Sequence, residues 1–180
     1  VSKEAKVITN VAEIKTDDGD DIDSTPDNNK DGEDDQDYDN IIPAVYDLAL
    51  QKFITKLNDK DITSRVPLVS VDKDGKITYN HTDEPLTVVN QSTRVYTIRV
   101  YNEGALDGYA KVVRDTLPTG LDFIPDNEIN KKYGWKVSED GRTVETTYLS
   151  KESSESNLIK AYNAATMKGP DYKDVKIACK

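Results

Sequence analysis

Between Asp17 and Asp39 twelve carboxylates stand against a single lysine, in the run DDGDDIDSTPDNNKDGEDDQDYD. A stretch that repels itself this strongly cannot enter a hydrophobic core, so the chain has to be divided at it. Its formal charge of −11 exceeds the −10 of all 180 residues, and everything outside it sums to +1. Alternating apolar residues flank it on both sides, which marks it as a junction. Such a segment is either a solvated, disordered spacer or a multidentate site for a hard cation.

The chain beyond this run is long enough for one core of about 130 residues. Ten tyrosines, one tryptophan and many Val, Ile and Thr favour strands. Nowhere do the roughly 20 consecutive apolar residues needed to cross a bilayer occur, and no signal peptide is visible. The chain starts with Val and reads as a piece of a longer one, so a missing leader carries no information about compartment. One cysteine excludes an internal disulfide. The acidic balance offers no basic stripe for phosphates, which argues against nucleic acid as a partner.

Val7 to Ile14 alternates as a strand, with Ile8, Asn10, Ala12 and Ile14 on one side. Val45 to Leu57 is ambiguous. A strand puts Tyr46, Leu48, Leu50, Lys52 and Ile54 on one face, while a helix aligns Tyr46, Ala49, Leu50, Phe53, Ile54 and Leu57 almost as well. Further on, Asp74-Gly75 turns a hairpin between Leu68–Val71 and Ile77–Tyr79. Leu86–Val89, Arg94–Asn102 and Tyr109–Asp115 read as strands, and Leu117-Pro118-Thr119-Gly120-Leu121 as a tight turn. Trp135–Val137 and Thr143–Tyr148 form a hairpin around Asp140-Gly141, and Tyr172–Cys179 returns to alternation. Leu158, Ala161, Tyr162 and Ala165 fall at helical spacing and predict one helix over about 152–165. Seven or more short strands with regular turns predict an all-β, immunoglobulin-like β-sandwich with one short helical insertion.

Within the acidic run, Asp27, Asn29, Asp31 and Gly32 fit the opening D-x-N-x-D-G of an EF-hand-type Ca²⁺ loop. The twelfth position is Tyr38 where a bidentate Glu is expected, leaving Asp35, Asp37 or Asp39 as substitutes. The candidate ligands are therefore Asp27, Asn29, Asp31 and Asp35, with a second cluster at Asp17, Asp20, Asp21 and Asp23. His81 is the only histidine and reads as a surface loop residue, which removes His-based catalytic triads and zinc sites. Cys179 alternates with Ile177 and Val175 and reads as a small packed hydrophobe. Trp135 and the tyrosines either line a glycan-binding face or, more commonly, pack in the core and across strands.

The segments YDLALQKFITKL, RVYTIRVYNEGALDGYAKVVRDTLPTGLDFIPDNEIN and YKDVKIACK resemble the isopeptide-forming fimbrial and adhesin repeat domains of Gram-positive bacterial surface proteins. The likeness is most specific from Arg94 to Asn130. It implies that residues 1–16 are the last strand of a preceding repeat, 17–42 an acidic inter-repeat segment, and 43–180 an isopeptide-type β-sandwich lacking its last strand. In such domains a first-strand lysine condenses with a last-strand asparagine, assisted by a buried acid. Lys52 matches the lysine, Asp115 in VVRDTLP the acid, and Asn10 in ITNVAEI the asparagine, though of the previous repeat. The asparagine belonging to Lys52 then lies beyond Lys180, unless Asn10 folds back to fill the missing strand position.

An amine attacks an amide only when it is neutral and held close. Apolar surroundings around Leu48, Leu50 and Ile54 favour the neutral amine of Lys52, and similar burial favours a protonated Asp115 that polarises the amide. Fixed positioning is worth roughly 7–11 kcal/mol of barrier. The plainer readings are a snorkelling or strand-edge Lys52, an Asp115 that caps the Leu-Pro turn, and an Asn10 that is an edge residue. The function implied is structural: a repeat in the stalk of an extracellular, cell-wall-associated adhesin or fimbrial protein, its partners neighbouring repeats of the same chain. The alternative is a ligand-binding adhesive module for a host protein or glycan, with Ca²⁺-ordered loops. Neither is a turnover enzyme, and Ca²⁺ is the one cofactor suggested.

Overall fold

The computed structural model describes residues 6–19 and 21–180, so Asp20 of the second acidic cluster lies outside the described residues. The chain divides into two compact units, Val1–Val45 and Tyr46–Lys180. The protein is all-β, with strands over 36% of the chain and helix over 5%. No helix among the described residues is long and apolar enough to cross a membrane.

In the first unit β1 (Ile8–Glu13) pairs antiparallel with β2 (Gln36–Ile41), from Ile8↔Ile41 to Glu13↔Gln36. β2 is the tail of the acidic run. It can be a strand because Asp37 and Asp39 stay exposed, so the ladder forms without burying either charge. The Thr9 hydroxyl donates to the Asn40 side-chain oxygen at 2.6 Å across this ladder.

The second unit contains β3 (Leu48–Leu57), β4 (Lys60–Asp61), β5 (Leu68–Val71), β6 (Ile77–Asn80) and β7 (Arg94–Asn102). It continues with β8 (Val113–Thr116), α1 (Glu128–Lys132), β9 (Lys136–Val137), β10 (Thr143–Thr146), a 3₁₀ turn (Glu155–Asn157) and β11 (Tyr172–Cys179). Three sheets result, in the orders β11-β7-β3-β4, β8-β10-β9 and β5-β6. The 45–57 ambiguity resolves as a strand, because β7 offers a nine-residue partner along β3. A register shift between Ile54 and Lys56 bulges β3 near its end.

β7 is buried on both faces. Tyr96, Ile98 and Val100 share one face with Val175 and Ile177 of β11 and meet Val113, Val144, Leu117, Trp135, Leu149 and Ile159 in the main core. The opposite face carries Thr97, Arg99 and Tyr101, with the ring of Tyr79 from β6 4.4 Å from that of Tyr101. Arg99 is tolerated there because Asp174, opposite it on β11, accepts from Nε at 2.8 Å and from an Nη at 2.9 Å. The outer edge of β11 is closed by Asn130. Its amide donates to the carbonyls of Ile124 and Ala178 and its Oδ1 accepts from the Ala178 N–H, all at 2.8 Å. A buried side chain thus stands in for a neighbouring strand.

Three sequence expectations are corrected. The helix over 152–165 is absent. Ser154 and Asn163 turn their side chains onto nearby backbone N–H groups, a competition that breaks helices, and Ile159 instead makes an antiparallel bridge with Gly108. The helical insertion is α1, one turn long and capped by Asn127. Residues 86–89 are not a strand, and the 109–115 strand shortens to β8.

Candidate functional site

Lys52 sits in the middle of β3 opposite Ile98, on the face that looks toward the main core. Asp115 sits in β8 opposite Val144, two residues before Leu117, another core residue. β3 and β8 belong to different sheets, and the two side chains meet between them. Lys52 Nζ donates to both carboxylate oxygens of Asp115, at 2.7 and 2.6 Å. The Asp115 side chain is 8% exposed and that of Lys52 32%. The pair therefore lies at the rim of the core, shielded on the acid side and reachable on the amine side.

The apolar face read from the sequence only partly encloses the lysine. Leu48 and Ile54 are half-buried, but Leu50 is exposed, and the one buried residue of β3, Phe53, points to the opposite face. What surrounds the amine instead is aromatic: Nζ stands 4.7 Å from the centre of the Tyr96 ring. Neither Asp115 oxygen accepts from the backbone of the Leu117–Leu121 turn among the described hydrogen bonds, so the capping role has no support.

Two further residues join this neighbourhood that the sequence does not mark. Cys179, at the end of β11, is fully buried; burial pushes its thiol up to about 12, with the charge of Asp115 adding to the effect and that of Lys52 opposing it. Its alternation signals burial but not its place beside the pair. His81 lies in a loop, as expected, but is half-buried: its side chain is 14% exposed, and it lines a pocket of about 200 Å³ with Lys52, Tyr96, Arg65, Thr82 and Asp83.

Both strands that carry the pair have open edges. β8 lies at the edge of its sheet, and β3 has β4 beside it only at Lys56 and Leu57. Between Tyr46 with the start of β3 (Leu48–Leu50) and the segment Tyr109–Arg114 runs a groove of about 410 Å³. Both walls run in chain order toward the pair, since Lys52 comes after Leu50 and Asp115 after Arg114. Leu50, Tyr46 and Val112, which line it, are large apolar residues left exposed.

No asparagine with a free amide is buried in this unit. The two buried ones, Asn102 and Asn130, are taken up by backbone groups. Asn10 is an exposed residue of β1, opposite Asp39 of β2, and both sheets flanking the Lys52–Asp115 pair are built from residues after Asp47. The structure thus brings together two of the three residues the resemblance names.

The Ca²⁺ candidates divide as well. Asp27, Asn29 and Asp31 are exposed, and Asp27 and Asn29 adopt positive φ. Their turn points N–H groups inward: those of Asn28 and Asn29 donate to Glu13 Oε1 at 2.7 and 2.8 Å. That arrangement holds an anion. Asp35 is buried, and the carboxylates that do cluster within 4.8 Å of one another are Asp21, Asp23 and Asp34.

The tyrosines and tryptophan are chiefly packing residues. Trp135 is buried and donates to the Lys176 carbonyl at 2.7 Å, while Tyr133 stands edge-on to Tyr148 with ring centres 4.7 Å apart. Compared with known proteins, the chain matches no family model, no curated protein and no solved structure.

Proposed function

We propose that residues 46–180 form an immunoglobulin-like β-sandwich repeat stiffened by a self-made isopeptide bond, with Lys52 as the amine and Asp115 as the promoting acid. The observation that carries this reading is the two-oxygen contact between Lys52 and Asp115 at the head of an open, apolar groove. The acyl partner is an asparagine on a strand supplied from downstream of Lys180 and laid into that groove. A proton passes from the ammonium to Asp115, leaving a neutral amine beside a carboxylic acid. The Lys52 nitrogen attacks the asparagine Cγ, the new N–C bond replaces the bond to the side-chain nitrogen, and the two protons shed by the Lys52 nitrogen, relayed through Asp115, let that nitrogen leave as ammonium. Asp115 ends as it began. The event happens once per molecule and is not turnover.

The role of such a bond is mechanical: it makes a shaft repeat of an extracellular, cell-wall-associated adhesin or fimbrial protein, flanked by further repeats. A thiol-free cross-link does there what a disulfide does elsewhere. The test is peptide mapping of a protein that extends past Lys180 through the next strand. Tandem mass spectrometry should find a branched tryptic peptide rooted at Lys52, lost in Lys52→Arg and in Asp115→Ala. A Lys52 recovered only in linear peptides would refute the reading.

A further inference from the structure

The apolar groove and the smaller pocket approach Lys52 from opposite ends of β3. Tyr46, Leu48 and Leu50 carry the groove up to the amine. Past the groove, Lys52, Phe53 and Ile54 in succession line the 200 Å³ pocket that also holds Arg65, His81 and Asp83. β4 pairs with β3 only at Lys56 and Leu57, so neither space is covered by a neighbouring strand. A strand laid along this edge, as β-augmentation requires, has the groove on one side of its asparagine and the pocket on the other.

The two spaces differ in polarity. In the groove, Leu50 and Val112 are exposed and Ala110 and Val113 buried, all of them apolar. In the pocket, Arg65 is half-buried and held in place by backbone carbonyls. Its Nη1 donates to the Thr82 carbonyl at 3.3 Å and its Nη2 to that of Glu84. Both acceptors are neutral, and most of the five guanidinium N–H donors stay free. Arg99, Arg114 and Arg142 each have a carboxylate partner, whereas Arg65 makes no ion pair among the described residues. Asp83 does not supply one: its side chain is 88% exposed and stands 3.5 Å from His81 Nδ1 instead. A fixed, half-buried guanidinium without a counter-charge is a prepared receptor for a carboxylate.

Same-face residues of a strand recur about 6.6–6.8 Å apart. Ile54 is the next residue after Lys52 on its face, so one such step carries an added strand from the amine into the pocket. We infer that the strand received beside Lys52 carries a carboxylate two residues from its asparagine on the Ile54 side, bound by Arg65, and an apolar residue two positions away on the Leu50 side. The partner is thus an extended peptide with apolar, asparagine and acidic side chains in that order along β3. This inference rests on the proposed strand in the groove but does not need the covalent step.

The test adds short fluorescent strand peptides to the full 180-residue chain and reads anisotropy. The peptides place Val, Asn and Glu at alternate positions, in both chain directions, with Gln replacing Glu in the controls. One direction should bind saturably, with Glu favoured over Gln by about tenfold and the preference fading in high salt. Arg65→Gln should bind the Glu and Gln peptides alike. Arg65→Lys keeps the charge and should keep part of the preference, which separates a lost charge from a disturbed loop. Leu50→Asp should weaken both peptides. Equal affinity for Glu and Gln in the parent chain, a preference that survives Arg65→Gln, or no saturable binding would overturn the carboxylate site. Covalent adducts at Lys52 formed equally by both peptides would keep the cross-link and overturn this inference. Binding with the Glu preference but without any adduct would support it and count against the cross-link alone.

Discussion

Lys52 meets Asp115 through both carboxylate oxygens, and the energetic consequence is asymmetric. Asp115→Ala leaves the amine at the core rim without a counter-charge. Breaking a buried pair costs about 3–5 kcal/mol, and the partial exposure of Lys52 lowers the expectation to about 1–3 kcal/mol in urea unfolding. Replacing both residues by apolar ones of similar volume should cost much less, because no charge is stranded. A double variant as unstable as Asp115→Ala would show that the pair does more than neutralise itself. Cys179 gives a second reading of the same neighbourhood. Its thiol is raised from 9.0 to about 12 by burial, so the folded state stays protonated where the unfolded chain ionises. Stability from this group is whole below pH 9 and is lost as the pH climbs toward 12. Cys179→Ala should therefore flatten the alkaline limb of the stability profile, though only in part. Tyr96 and Tyr101, raised first by burial, act in the same direction. In native protein at pH 8 the thiol should react with Ellman's reagent only on unfolding.

Among the elements, Asn130 decides whether β11 has a finished edge. Asn130→Ala would leave the N–H and C=O of Ala178 without partners and should cost about 2–4 kcal/mol by chemical denaturation. Asn130→Asp cannot donate to Ala178 and Ile124 and should be no better; wild-type stability in either variant would remove the edge-closing role. Nothing in DNEINKKYGW announces this, because a single capped turn leaves almost no periodic signal. The legible elements are those whose residues repeat a period long enough to read. β7 and β11 alternate over eight or nine residues, and the β5–β6 hairpin turns at Asp74-Gly75, where Gly75 takes φ +81. β2 is hidden because its carboxylates read as spacer, and only the pairing with β1 reveals that both its faces can stay wet. The apolar spacing over 158–165 misleads because it serves a bridge and loop packing rather than a helix. At the site, Lys52 and Asp115 are legible in the sequence. Tyr96, His81 and Cys179 are not, since their proximity depends on how two sheets face each other. Likewise the D-x-N-x-D-G spacing reads as a calcium loop, but its backbone turns the N–H groups of Asn28 and Asn29 onto Glu13.

Across the whole molecule the charge is divided as sharply as the fold. Residues 46–180 carry twenty acidic and twenty basic side chains, so the entire −10 resides in the first unit. Salt and divalent ions should act on that unit and leave unfolding of the second nearly unchanged. The second unit has a different need. Its first long strand, β3, buries only Phe53 fully and makes one ion pair to the facing sheet, and no disulfide exists to close the chain. A covalent bond from Lys52 to a strand at the far end would close a loop of more than 100 residues. In the chain-entropy description that is worth about 5 kcal/mol against unfolding. The decisive measurement is the intact mass, under denaturing conditions, of a protein carrying that downstream strand. A cross-linked domain should weigh one ammonia less than its sequence, with the full sequence mass restored in Lys52→Arg. A wild-type protein at its full sequence mass, with Lys52 still open to amine acylation after denaturation, would rule the cross-link out.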